Sequence, residues 1–213
     1  MNRILKNRIA FIFLLLFLVG CKTNPTSLLK QGDLVFVTAK SSGLSGAINT
    51  VTKKNDIESF DHLGLVKKEG KRWFVLHSEP KNGSWKQDFS EFVKKQSNEG
   101  QQMVLYRLKT EFQSAIPNAI LSAEKMLGKP YNELYILNEN QYYCSDFIER
   151  AFRKDSIFSL QPMTFKDPKT GVTNVFWKEF YSKYGVEVPE GELGCNPNGL
   201  AASPKLVRIK VLN

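Results

Sequence analysis

The chain is poor in the residues that most often carry chemistry: two histidines and three cysteines in 213 residues. No Cys-x-x-Cys pair occurs, so neither a disulfide-stapled scaffold nor a zinc module of paired thiolates is encoded. No long apolar run exists either. The longest, Ile9 to Val19, has 11 residues, against about 20 for a helix that crosses a bilayer. Internal repeats and low-complexity tracts are missing, and a composition of 42% hydrophobic and 24% charged residues excludes disorder, collagen and coiled coil. The length suits one domain plus a short targeting segment.

What is present begins with charge. The net charge of +9 taken alone suggests nucleic acid or an anionic surface as partner. Part of it lies in Arg3, Lys6 and Arg8, and without residues 1–20 there remain 27 basic against 21 acidic side chains. Basic residues followed by an apolar run, then Gly20 and Cys21, have the layout of a bacterial export signal. Leu18-Val19-Gly20-Cys21 resembles a lipoprotein cleavage box, in which the Cys21 thiol takes a diacylglycerol. The expectation is a signal peptide over 1–20, a lipidated tether over 21–29 and a domain over 30–213. The protein is then an exported bacterial lipoprotein of the cell or outer membrane, with a membrane partner and no nucleic acid.

Hydrophobic patterning predicts strands at Leu34–Val37, His62–Val66, Trp73–His77, Met103–Leu108 and Leu206–Leu212. Helical spacing places a short helix near Leu44–Val51, one begun by a cap at Asp88, and a long one from Phe112 to Leu127 with Pro117 in its first turn or at a kink. Further helices carry Phe147 to Phe152 and Asn174 to Tyr184. The sum is an α+β domain with a mostly antiparallel sheet.

The two histidines lie on either side of the turn Lys68-Glu69-Gly70-Lys71. With the turn centred between Glu69 and Gly70, His62 falls directly opposite His77, close enough for one ring to orient the other. Asp61 takes the other strand face under regular alternation and reads as a surface or loop charge. Cys144 stands where a helix begins, facing unpaired amides and the positive end of the helix dipole, which favour a thiolate and can hold an oxyanion. A thiol, an imidazole and a third polar group form the layout of covalent acyl transfer. Two other readings fit the same residues: a small buried hydrophobe, and a zinc site of Cys144, His62 and His77 with a borrowed fourth ligand. Cys195 has no helix start or histidine beside it and reads as inert, and Tyr131 and Tyr135 as cleft or core residues.

Five segments together carry a resemblance: Gly32-Asp33-Leu34-Val35-Phe36, His62-Leu63-Gly64-Leu65-Val66, Leu127-Gly128-Lys129-Pro130-Tyr131-Asn132, Tyr142-Tyr143-Cys144-Ser145-Asp146 and Ser203-Pro204-Lys205-Leu206. In this order they resemble the circularly permuted NlpC-type papain-like cysteine hydrolases of the YiiX-like group. The resemblance implies a papain-like fold of permuted topology, with an antiparallel sheet packed against the nucleophile helix. It implies Cys144 as nucleophile and His62 as base, with His77, or Glu79 in its place, as the third member. The Cys144 amide helped by Tyr143 is expected at the oxyanion, and no cofactor or metal is implied. A third-position histidine is also found in lecithin retinol acyltransferase-like relatives. The expected function is therefore a cysteine hydrolase or acyltransferase acting on an amide or ester through a thioester, its substrate lipid-like. A cell-wall peptide amidase or endopeptidase, and a silent lipid- or peptide-binding module, are the alternatives.

Overall fold

The computed structural model describes residues 25–54 and 58–212. The expected signal peptide and Cys21 therefore lie outside the described residues. The end of the expected tether lies within them: Pro25–Leu28 forms a 3-10 turn and Leu29 is buried on the domain.

Six strands form one antiparallel sheet. In chain order they are β1 (Leu34–Thr38), β2 (Phe60–Glu69), β3 (Arg72–Glu79), β4 (Gly83–Asp88), β5 (Met103–Leu108) and β8 (Leu206–Leu212), arranged β4-β3-β2-β1-β5-β8. Two short strands, β6 (Gln161–Pro162) and β7 (Leu193–Gly194), pair separately. Period-2 alternation sends Leu34, Phe36, Leu63, Leu65 and Leu76 to one face and Val35, Val37, Val66 and Val75 to the other. Helix α2 (Phe89–Asn98) covers the valine face through Phe89 and Phe92. The leucine face receives α3 (Ile116–Lys125) and α4 (Cys144–Phe152). A third cluster joins α1 (Gly43–Thr52) and α5 (Val175–Ser182) around Trp177 and Tyr181. The short α6 (Pro197–Ala201) adds Leu200 to the leucine-face core.

Several elements fall where patterning puts them. Asp88 caps α2 by accepting from the Ser90 amide at 2.9 Å, and Asn174 caps α5. The long helix expected over 112–127 is divided. A 3-10 segment, Thr110–Ala115, precedes α3, and Pro117 occupies the first turn, where its missing N–H costs nothing. Strand β4 was not signalled, because Gly-Ser-Trp-Lys-Gln-Asp offers little apolar alternation. It forms through backbone pairing with β3 from Phe74↔Asp88 to Glu79↔Gly83.

Asp33, fully buried before β1, takes two hydrogen bonds from Arg107 of β5 at 2.6 and 2.8 Å and one from the Lys30 amide at 2.7 Å. Arg107 also donates to the Leu28 carbonyl, tying the N-terminal turn to the sheet. Removing one partner of a buried pair leaves the other unpaired and costs about 3–5 kcal/mol. Asp33→Ala is expected to lose stability of that order in urea unfolding, and Asp33→Asn less, since it retains one acceptor.

Candidate active site

Cys144 opens α4 after Tyr143, which has extended backbone at the N-cap. The approach to this helix is fixed by four bonds. Tyr142 donates its amide to the Pro130 carbonyl at 3.1 Å and accepts from the Asn132 amide at 3.2 Å, so Tyr131 forms a parallel bridge with Tyr142. Ser78 of β3 donates its hydroxyl to the Tyr142 carbonyl at 2.7 Å. At the edge of the sheet Ser84 donates its amide to the Lys129 carbonyl at 2.8 Å. A Cβ on Gly83 would come 2.2 Å from that same carbonyl oxygen, so only glycine permits the approach.

The histidines meet, but not as the turn geometry predicts. The loop is Gly70-Lys71, closed by Glu69↔Arg72, and Gly70 has a φ of +58°, as the first loop position of a tight hairpin allows. The register is therefore two residues from the expected one. A shift of two keeps every side chain on its face, but it places Gly64, not His62, across from His77. The empty position at Gly64, where a Cβ would lie 3.2 Å from the His77 Cβ, lets the rings meet diagonally. His62 Nε2 lies 2.9 Å from His77 Nδ1. His77 is fully buried against Phe92 and Trp85, and Gln87 of β4 faces it. Glu79, the alternative third member, is committed to Lys95 and Asn82.

The β1–β2 ladder slips between Val37↔His62 and Thr38↔Phe60, so Asp61 is an extra residue in β2. Such a bulge breaks the alternation of faces and corrects the reading of Asp61 as a surface charge. Its carboxylate accepts from the Ser45 hydroxyl and from Gln101 Nε2 at 3.2 Å. Its carbonyl accepts the Cys144 thiol at 3.7 Å. Among the described residues no hydrogen bond joins Cys144 to His62 directly, and the Asp61 peptide stands between them.

Burial, reinforced by the Asp61 charge, pushes the Cys144 thiol up to about 12, against the opposing pull of the Ser145 and Cys144 amides. The helix start is thus outweighed by desolvation. Burial likewise lowers His62 to about 4, partly offset by Glu79, and lowers His77. Thiol and imidazoles are therefore neutral at pH 7.

Two tyrosines exchange the roles that their sequence positions suggest. Tyr143 lines the cleft, but its hydroxyl accepts the Cys195 amide at 3.2 Å. The Tyr131 hydroxyl faces the Cys144 thiol and backbone amide, with Tyr135 beside it. The Gly-Lys-Pro-Tyr segment was visible in the sequence, but the bridge to Tyr142 that aims it was not. Cys195 is a free thiol, as is Cys144. Among the described residues no three His, Cys, Asp or Glu side chains converge to hold a metal ion. The facing nitrogens of His62 and His77 bond to each other, and the donor set does not fit a metal centre.

A buried thiol at a helix start beside a histidine-bearing antiparallel sheet, with the sheet histidines preceding the thiol in sequence, defines a papain-like hydrolase of permuted order. The chain belongs to the permuted papain-like amidase family, YaeF/YiiX, C92, whose sequence model matches residues 28–210. The fold is similar to that of the crystal structure of metalloprotein YiiX from Escherichia coli O157:H7, at 20% identity and a TM-score of 0.65, covering 85% of this chain and 96% of that one. No curated protein matches the chain.

The lowered His62 pKa has a stability consequence. The unfolded imidazole, near 6.5, binds its proton before the folded one, near 4, so stability is lost as pH falls through that window. The slope is at most about 1.4 kcal/mol per pH unit. His62→Gln removes this dependence, and its stability difference from wild type is expected to move in the variant's favour between pH 6.5 and 4 in denaturant titrations. Asp146, raised to about 6 by burial, acts with the opposite sign in both proteins and cancels.

Proposed function

We propose that the protein is a cysteine amidase of the envelope, with Cys144 as nucleophile, His62 as base and His77 as the group that orients it. The contact between His62 Nε2 and His77 Nδ1 at 2.9 Å carries the reading. In the productive arrangement His77 accepts at Nδ1 and carries its own proton on Nε2, a buried nitrogen without a bonded partner among the described residues. His62 then donates from Nε2 and keeps its Nδ1 lone pair free. When substrate enters, the thiol leaves the Asp61 carbonyl and gives its proton to that nitrogen. The Cys144 sulfur attacks the amide or ester carbonyl, and the Cys144 amide and the Tyr131 hydroxyl receive the oxyanion. His62 returns the proton to the departing group, and water or another acceptor releases the acyl group from the thioester.

Proton transfer between neutral partners avoids placing an unpaired charge in a dry site before substrate arrives. A lipid on Cys21 would hold this domain at a membrane surface, where lipid-linked amides and esters are found. The arrangement of Arg3, Lys6, Arg8, the Ile9–Val19 run and Gly20-Cys21 supports that anchoring. Mass spectrometry of Cys21 in membrane-extracted protein tests it, and unmodified Cys21 would overturn it.

Hydrolysis of acyl amides by purified protein is expected to fall at least about 10³-fold in Cys144→Ala and His62→Ala. In His77→Ala it is expected to fall about 10- to 10²-fold, because the base is present but unoriented. Since His62 must be neutral to act, kcat/KM should hold as pH falls and drop only near pH 4, where the folded imidazole protonates. Unchanged rates in Cys144→Ala would sink the reading.

A further inference from the structure

Two cavities share Ile48, Asp61 and Tyr135 in their walls, and they differ in how many charged side chains face them. One, of about 510 Å³, contains Cys144 and not His62. Beyond the thiol its walls include Ile157, Phe158, Phe165, Trp177, Leu200 and Met163, against three charged side chains, Lys54, Asp61 and Lys205. The other, of about 250 Å³, contains His62 and not Cys144, and it is lined by Lys40, Glu79, Lys95 and Glu99 besides Asp61. An amide has two unlike ends, and the reaction assigns them. The carbon end is bonded to sulfur in the thioester, while the nitrogen end must receive its proton from His62.

We propose that the larger cavity is an acyl-chain site and that the smaller one takes a polar amine, so that the substrate is a medium- or long-chain N-acyl amine. The assignment rests on the cysteine amidase reading and deepens it. The Cys144 sulfur forms a bond to the acyl carbon, the C–N bond breaks, and the proton that left the thiol passes from His62 to the nitrogen. Amine leaves through the smaller cavity, past Lys40, Glu79, Lys95 and Glu99. Water then adds to the thioester, giving a fatty acid and restoring the thiol, with no oxidant or cofactor. The volume falls within the range of ligand pockets, and its aromatic and aliphatic walls gain free energy with each methylene removed from water. A short polar peptide would leave those walls uncovered.

The test is a series of N-acylglycines from acetyl to hexadecanoyl, followed by release of glycine. The expected result is a kcat/KM rising about fourfold per methylene, then levelling when the cavity is full. Met163→Trp narrows the cavity and is expected to flatten the rise, so that the ratio of dodecanoyl- to acetylglycine kcat/KM falls. Met163→Ala should instead extend the rise to longer chains. Cys144-dependent hydrolysis that is flat or declines with chain length would overturn the acyl site and leave the amidase standing. If no amide in the series is cleaved, calorimetry with Cys144→Ala decides: binding of dodecanoate but not butyrate, weakened by Met163→Trp, supports the site, and equal or no binding overturns it.

Discussion

The structure depends on burying α4 on every side. Its residues Cys144, Ser145, Asp146, Phe147, Ile148, Glu149, Ala151 and Phe152 are all buried, although a surface helix ordinarily buries one stripe. The sheet lies beneath it, α3 lies alongside, and the segment before α6 reaches its start, where Ser145 donates to the Cys195 carbonyl. Burial on this scale forces two acidic side chains inward. Asp146 is answered by Arg150 at 2.7 Å and Glu149 by Arg153, so the helix carries its own counter-charges one turn on. The same burial raises the Cys144 pKa, and the thiol is placed by packing more than by electrostatics.

From that constraint the geometry of the site follows in sequence. Once α4 is fixed, Ser78 and the Pro130–Asn132 bridge fix Tyr142, two residues before Cys144, and Tyr131 is brought to the thiol. The sheet supplies the rest through two departures from regularity. Gly64 removes a side chain where two imidazoles must approach, and Asp61 adds a residue where regular alternation would otherwise run on. Regular β-structure would keep the histidines apart, or turn Asp61 away from the cleft.

Much of this was legible in the sequence, for reasons that particular residues show. Leu34–Val37, Met103–Leu108 and Leu206–Leu212 are strands whose patterns are strong enough to survive any context, and Asp88 and Asn174 are caps with side chains suited to the task. Cys144, His62 and His77 stood out because so few residues of their kind exist. Two features could not be read. The hairpin register depended on which residue of Glu69-Gly70-Lys71 turns left-handed, and an error of two residues preserved the faces while misplacing the partner. The partners of Asp61, Tyr131 and Gln87 come from chain positions with no sequence relation to them. Strand β4 had no apolar pattern to betray it, being held by its ladder to β3.

The Asp61 bulge lies in the wall common to two spaces, with Ile48 and Tyr135. A substrate of the kind proposed above would cross that wall, with its reacting bond beside a single peptide unit. After the central bond breaks, nothing requires the halves to depart together or by one route. For such a substrate the amine half would be free to return to water while the acyl half remained held, covalently and by contact. The chemical step thereby acquires a direction, because the fragment that could reverse it has already gone.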